Sequence, residues 1–303
     1  MLTPFELLGP ETLDEAVRLI VKYGEACKIM AGGTDVLVSM HAGTLKPDYI
    51  VDIKGIKELR GKPVFSETGL SIAALSTHDE IEMTSEVKKY YTALWEGAAG
   101  IGSVQTRMRG TIGGNICNAI PSGDSLGPLL ALDASLTVFG PGGRRSIEFE
   151  EFFTGPGKTT LKPGEILCSI DLPPPRPRSG SAYLKFTRRK AMDLMLSGVT
   201  ANISLDEHGL CEHVRIALSA AAPVPIRAKT AEKYLRGKII DKKAMAEAAR
   251  LAAKDAKPRS SWRTSAAYRY KLIETLLPRA IELSLSRAGE QPLTEAPGEA
   301  VSG

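Results

Sequence analysis

Between Gln105 and Asp124 the chain reads QTRMRGTIGGNICNAIPSGD, a stretch with no helical period and almost no charge after Arg109. Gly110, Gly113 and Gly114 permit backbone torsions and close approaches that a Cβ blocks. Thr111, Asn115, Asn118, Ser122 and Asp124 add short hydrogen-bonding groups. Residues of these types at this density suit a loop that wraps a phosphorylated ligand. A glycine pair alone does not carry that reading. With 29 glycines in 303 residues, roughly three such pairs arise by chance, and three are present, at Gly32-Gly33, Gly113-Gly114 and Gly142-Gly143. The surroundings of each pair have to decide.

The first pair lies in AGGTD, residues 31–35, directly after the apolar CKIM. A glycine turn behind a strand lets successive N–H groups point into one concavity, which holds an anion without a lysine. An ordinary tight turn fits the same residues equally well. No GxGxxG occurs in the chain. GPGKTT at 155–160 looks like the end of a P-loop, but position 152 is Phe where that motif needs Gly. Pro163 also stops any helix that begins at Lys158.

The remaining composition narrows the chemistry. Cys27, Cys117, Cys168 and Cys211 lie 90, 51 and 43 residues apart, unlike the close spacing of zinc sites or iron-sulfur clusters, and read as buried free thiols. His41, His78, His208 and His213 form no HExxH and read as structural or exposed. No metal is expected on this chain. Its 39 basic and 35 acidic side chains leave a formal charge of +4, too small and too scattered for a nucleic-acid footprint. The first twenty residues lack a basic region before an apolar core, and no run approaches the length of a membrane span. The expected setting is cytoplasmic.

The elements that must position these residues follow from local pattern. Thr12 and Glu15 form a capping box ahead of a helix with Leu13, Ala16, Val17 and Ile20 on one face, and Gly24 ends it. CKIM is a short strand, Thr34 is placed to cap a helix through Val36 to Val38, and DYIVDI at 48–53 is a buried strand, together a βαβ-like unit. GLSIAALS at 69–76 is a strand leading into a second capping box, Thr77 and Glu80. One longer helix starting at Thr84 or Ser85 carries Val87, Tyr90, Tyr91, Leu94 and Ala98 on one face up to Gly100 and Gly102. SLTVFG and RRSIEF make a hairpin around Gly140 to Gly143, and EILCSIDL at 165–172 is a strand. PPPRPRSG at 173–180 reads as a stiff linker at a domain boundary. Beyond it lie a three-stranded antiparallel meander and helices at about 226–236, 241–254 and 264–287, with a disordered tail expected over 288–303.

AGGTD at 31–35, the 105–124 stretch, GPGKT and GEIL within 155–167, and KFTRRKAMDLMLSGVTAN at 185–202 occur in one order. In that combination the chain, over residues 1 to about 287, resembles the FAD-binding medium subunits of molybdenum hydroxylases, the group of xanthine, carbon monoxide and nicotinate dehydrogenases. The resemblance implies an α+β fold. Residues 1–177 would form an FAD-binding PCMH-type (vanillyl-alcohol-oxidase-like) domain of two α/β subdomains, about 1–55 and 56–177. Residues 178–287 would form a C-terminal CO-dehydrogenase-flavoprotein-like domain, a three-stranded antiparallel sheet with a three-helix bundle.

The resemblance also assigns roles. The first turn, Ile29, Met30, Ala31, Gly32, Gly33, Thr34, Asp35 and Val36, would sit on the FAD pyrophosphate through backbone amides. Thr111, Ile112, Gly113, Gly114 and Asn115 would close over the same diphosphate from the other side, with Ile101 also at the cofactor. Asp124 would contact the adenosine part, Leu167 would lie near the adenine, and Lys185 would approach the isoalloxazine. Asp193 and Leu194 would border the ring, where some members carry tyrosine in place of Leu194. No catalytic acid or base is expected, since the flavin carries the redox chemistry. Partner subunits would hold molybdopterin and [2Fe-2S] clusters, in a dimer of heterotrimers, and NAD+, a quinone or another acceptor would receive the electrons. The cysteine-rich insertion of the 4-hydroxybenzoyl-CoA reductases is missing. A free-standing flavin reductase of the enolpyruvyl-sugar-reductase type and a non-enzymatic nucleotide-binding scaffold are the alternatives.

Overall fold

Three sheets and one small hairpin organise the computed structural model, which describes residues 2–290. The N-terminal unit runs β1 (Glu6–Leu8), α1 (Leu13–Tyr23), β2 (Cys27–Met30), α2 (Val36–His41) and β3 (Tyr49–Asp52). Its strands form a parallel sheet in the order β1-β3-β2, with Leu7 opposite Ile50 and Ile29 opposite Val51. The Thr12 side chain accepts the Glu15 amide and Gly24, at φ 51, ends the helix, as the capping residues predict. The Glu15 carboxylate reaches one residue further back than a capping box requires, to the Glu11 amide. Thr34 does not cap α2. The cap position belongs to Asp35, whose side chain makes no capping bond. β1 is too short, at three residues, for alternation to reveal it.

The second unit contains β4 (Val64–Ser66), β5 (Gly69–Ala73), α3 (His78–Glu82), α4 (Ser85–Tyr90), α5 (Thr92–Ala99), α6 (Val104–Arg107), α7 (Ile112–Asn118), α8 (Leu126–Ala131), β6 (Ser135–Gly140), β7 (Gly143–Glu148), β8 (Phe153–Gly155), β9 (Lys158–Thr159) and β10 (Ile166–Leu172). The order β4-β5-β10-β6-β7 is antiparallel throughout. Two expectations change here. The long helix is two, broken at Tyr91 (φ −124, ψ 49), whose ring is buried and whose hydroxyl donates to Pro173 O at 2.9 Å. That tertiary anchor overrides the helical period. The glycine-rich stretch is likewise not an uninterrupted loop, because α7 occupies its centre.

The GPGKTT turn joins β8 to β9 and is followed by no helix before β10, so it is a hairpin and not a P-loop. The proline segment is packed rather than free at its start: a Cβ on Gly69 (φ +116) would lie 2.0 Å from Leu172 O and 2.8 Å from the Pro173 carbonyl carbon.

The C-terminal unit is β11 (Ser179–Phe186), β12 (Ser197–Leu205), β13 (Cys211–Ser219), β14 (Ile226–Arg227), α9 (Lys229–Leu235), α10 (Lys242–Asp255) and α11 (Ala266–Glu290). The expected three-stranded meander gains β14 as a fourth strand, pairing Leu218 with Ile226. Two residues carry no periodic signal. Along β12 the side chains alternate: Val199, Ala201 and Ile203 join the core under α10 and α11, while Asn202 turns the other way and donates to Ala131 O of α8 at 3.1 Å. Five alanines on one face of α10 are buried, which lets α11 approach closely. α11 continues through Glu290 with Ala288 buried, so residues 288–290 belong to a helix and the rest of the expected tail lies outside the described residues.

Candidate cofactor-binding site

The two glycine turns meet each other directly. A Cβ on Gly32 would lie 1.9 Å from the Arg109 carbonyl oxygen and 3.1 Å from Gly110 Cα, and a Cβ on Gly114 would touch the Ala31 side chain at 3.9 Å. The contact is backbone against backbone, a place where only glycine fits. Gly113 serves a different surface: its Cβ would lie 2.6 Å from Ala74 O at the end of β5.

The amides of the two turns differ in what they have left to offer. In the second, Ile112 N–H donates to Ser76 O, Gly113 N–H to Ala74 O, Gly114 N–H to Thr111 Oγ1 and Asn115 N–H to Thr111 O. All four are committed inside the protein. In the first, no acceptor among the described residues meets the N–H groups of Gly32, Gly33, Thr34, Asp35 or Val36. Five consecutive free donors at a partly buried turn form an anion cradle of the kind glycine turns build. The second turn is its wall.

Between and beyond the turns runs a cleft of about 680 Å³, within the range of small-molecule sites. Of the expected residues, Ile29, Ala31, Gly32, Gly33, Thr34, Asp35, Val36, Ile101, Thr111, Gly113, Gly114, Asn115, Asp124 and Leu167 line it, together with Asp193 and Leu194. Met30, Ile112 and Lys185 do not. Met30 sits in β2 opposite Asp52, and Ile112 is fully buried in the core under the five-stranded sheet.

The Lys185 ammonium is held behind the wall, donating to Gly100 O at 2.7 Å and to Asp124 Oδ2 at 3.0 Å. Asp124 takes a second bond, from the Tyr183 hydroxyl at 2.7 Å. Burial pushes the Asp124 carboxyl above its ordinary range, and the Lys185 charge opposes that shift. The same burial, with the Asp124 charge, pushes the Tyr183 hydroxyl well up. Asp124 and Lys185 are therefore one unit. Asp124 is the member of the pair that lines the cleft.

Several lining residues carry no sequence signal for the role. His78 borders the cleft although the histidines read as structural or exposed. It is 2% exposed, burial and the nearby Arg107 charge lower its pKa to about 4, and its Nδ1 has no partner. Only the register set by the Thr77 and Glu80 capping box places it there. Gly157 of the hairpin that resembles a P-loop only in outline also borders the cleft, tied by its amide to Ala119 O at 2.9 Å. Asp35 is pushed up by burial, and a hydrogen bond with Asn118 opposes the shift, linking the first turn to α7. Burial raises the thiol of Cys117, another lining residue, to about 12, which keeps it protonated.

A diphosphate-bearing ligand suits this donor set: a cradle of free amides, with glycines where a Cβ would close the seam. Comparison with known proteins agrees. Residues 3–175 match the family described as the FAD binding domain in molybdopterin dehydrogenase, and residues 182–283 the CO dehydrogenase flavoprotein C-terminal domain. The chain is 36% identical over 279 residues to the xanthine dehydrogenase FAD-binding subunit of Escherichia coli O157:H7, covering 92% of this chain and 95% of that one. It is 32% identical to the nicotinate dehydrogenase FAD-subunit of Eubacterium barkeri, over 77% and 80% of the two chains. Among solved structures, carbon monoxide dehydrogenase from Hydrogenophaga pseudoflava, in a form lacking the Mo-pyranopterin moiety of its molybdenum cofactor, superposes with a TM-score of 0.91 at 31% identity, covering 95% of this chain and 99% of that one. With one family matched over more than half its length and relatives aligned nearly end to end, this protein belongs to the FAD-binding subunits of the molybdopterin dehydrogenases.

Proposed function

We propose that this chain holds FAD in the cleft between its glycine turns and is the electron-transfer station of a three-component molybdenum dehydrogenase. In this reading a molybdopterin-binding subunit oxidises the substrate, a small subunit delivers electrons singly from [2Fe-2S] clusters, and NAD+, a quinone or another acceptor takes them in pairs. Two copies of each of the three chains make the assembly. The observation that carries the reading is the row of five free N–H groups from Gly32 to Val36, on a turn that packs against the second glycine-rich stretch. Such a row neutralises a doubly charged diphosphate without a lysine.

Bound FAD supplies the redox chemistry itself. The chain's own residues bind and orient. The Gly32 to Val36 amides take the diphosphate, and Thr111 to Asn115 limit its depth. Leu167, on β10, borders the adenine side of the cleft. Asp193 and Leu194, in the β11–β12 connection, border the ring side together with the Asp124–Lys185 pair. Asp124 thus moves from the adenosine to the flavin in this assignment, because its ion pair with Lys185 at 3.0 Å leaves the two no separation. The pair also sets a fixed charge distribution at that wall, with Asp124 on the cleft side and the Lys185 ammonium compensating it from behind. The same reading divides the chain at the proline segment, an FAD-binding unit before it and a C-terminal unit after it.

Purified chain mixed with FAD and then desalted should keep about one flavin per chain and its visible absorbance. A colourless protein ends the proposal. Purification with native partners should bring molybdenum and iron along, whereas full activity from this chain alone would contradict the three-component arrangement.

A further inference from the structure

We propose that Lys54 is a positioning residue for the cofactor site: by holding the Ala31 carbonyl it turns the Gly32 N–H, the first of the five free donors, toward the diphosphate. The inference rests on the FAD reading of the cleft. It adds to that reading a side chain that lies outside both glycine motifs and does not border the cleft.

The sheet places the lysine. β2 pairs with β3 so that Met30 stands opposite Asp52, which brings Ala31, the residue after one strand, beside the single turn Ile53–Gly55 that follows the other. The Asp52 carboxylate fixes that turn, accepting the Lys54 amide at 3.1 Å and the Lys54 ammonium at 2.6 Å through the same oxygen. The ammonium donates a second bond to Ala31 O at 3.3 Å. A lysine free in solvent has many rotamers, whereas this one is tethered at both ends.

The direction of the N–H follows from the peptide unit. The described residues contain no cis peptide, and in a trans peptide the C=O and the N–H of one plane point opposite ways. Ala31 O points at Lys54, so the Gly32 N–H points away from it. Lys54 stays outside the cleft, whereas Ala31 and Gly32 border it, and no acceptor among the described residues meets that N–H. The free donor is therefore turned to the cleft side. Gly32 is also walled on a flank, where a Cβ would come within 1.9 Å of the Arg109 carbonyl oxygen.

Little else fixes this peptide plane. Gly32 has no side chain and an unbonded amide, and a glycine backbone crosses between conformations closed to other residues. Without Lys54 the Ala31–Gly32 peptide is free to rotate, which puts its carbonyl oxygen on the cleft side in place of the N–H. An anion cradle loses twice from that rotation, because one donor leaves and one acceptor faces the phosphate oxygens. Asp35, Asp124, Glu165 and Asp193 already line the cleft, against Lys28 as the cationic lining residue, so the orientation of each backbone donor counts.

The test uses the full chain. Flavin fluorescence quenching gives the FAD dissociation constant for wild type, Lys54→Met and Lys54→Arg. Labelling alanine carbonyls with 13C and glycine amides with 15N selects the Ala-Gly pairs at 31–32, 42–43, 99–100 and 288–289. Lys54→Met should weaken FAD binding about tenfold, the scale of one hydrogen bond, and in the cofactor-free protein it should shift the Ala31 carbonyl and Gly32 amide resonances. Lys54→Arg, which keeps a charged donor for Ala31 O, should recover most of the affinity. In wild type saturated with FAD the Gly32 amide resonance should move, a readout that needs no variant. Wild-type affinity in Lys54→Met overturns the inference, as does weakened binding with the Ala31–Gly32 resonances unchanged, or a Gly32 amide indifferent to bound FAD. Failure of the wild type to bind FAD at all would instead overturn the function proposed above, while the cofactor-free spectra would still show whether Lys54 sets the peptide.

Discussion

At Gly32 a single missing Cβ decides whether the two halves of the site can touch. The 1.9 Å that would separate a Cβ from Arg109 O involves backbone on both sides, so no rotamer change relieves it. Gly32→Val should abolish FAD retention in a desalting assay while the far-ultraviolet circular dichroism stays that of the wild type. Gly33 needs glycine for another reason, its φ of +79, and Gly33→Ala should cost only about 1 kcal/mol and weaken FAD less. The Asp124–Lys185 pair, with side chains 12% and 20% exposed, behaves as a unit. Lys185→Met leaves a buried carboxylate unmatched and should destabilise the protein by about 3 kcal/mol in urea unfolding. Adding Asp124→Asn should recover part of that loss, and additive losses would show that the pair is not coupled.

His78 supplies a pH dependence with a defined sign. Its folded pKa of about 4 lies below the unfolded value near 6.5. Between those values the unfolded chain binds a proton that the folded chain does not. The cofactor-free protein should therefore lose stability as the pH falls from about 6.5 to about 4, by up to roughly 1.4 kcal/mol per unit from this one group. In His78→Phe that slope should be shallower, as urea midpoints across the window would measure.

The elements are held by contacts that their own sequences do not advertise. α11 lies directly on β11 because Gly180 has no side chain: a Cβ there would lie 2.2 Å from Ser284 O and 2.7 Å from Ala288 N. Glu96 fastens the junction by pairing with Arg287 at 2.6 Å through one oxygen and accepting the Tyr183 amide at 2.6 Å through the other. Gly180→Val should cost about 2 kcal/mol or more by forcing helix and sheet apart, lowering the melting temperature by roughly 5 °C, with little effect on FAD affinity. α7 shows the reverse case. It is a helix in a sequence that reads as loop, stabilised because Ser76 and Ala74 accept its first two N–H groups and Gly113 lets it sit against β5.

For the molecule as a whole, the cleft lies where residues of all three sheets meet: the β2 turn of the first, the start of the central strand β10 of the second and the β11–β12 connection of the third. A ligand spanning that junction stabilises the folded state of every unit at once. Saturating the chain with FAD at a hundredfold its dissociation constant should add about 2.7 kcal/mol, seen as one upward-shifted calorimetric transition. An unshifted C-terminal transition would mean that the third sheet takes no part in the site. Among the described residues no helix is long and apolar enough to cross a membrane.

Sequence alone determined the parts whose information is local. Capping pairs such as Thr77 and Glu80, the apolar face of α1, the strands of five residues or more, and both glycine turns rest on neighbours within a few positions, and their combination pointed to the family. What it could not determine were β1, β4 and β14, which are too short to show a period, the break at Tyr91, which depends on Pro173, and the helix inside the glycine-rich stretch. Only the tertiary structure decided which amides are free, that Asp124 faces Lys185, and that His78 stands at the seam. Each of these depends on residues about thirty to eighty positions apart, and hydrogen-bond partners at that distance leave no trace in the local pattern of a single chain.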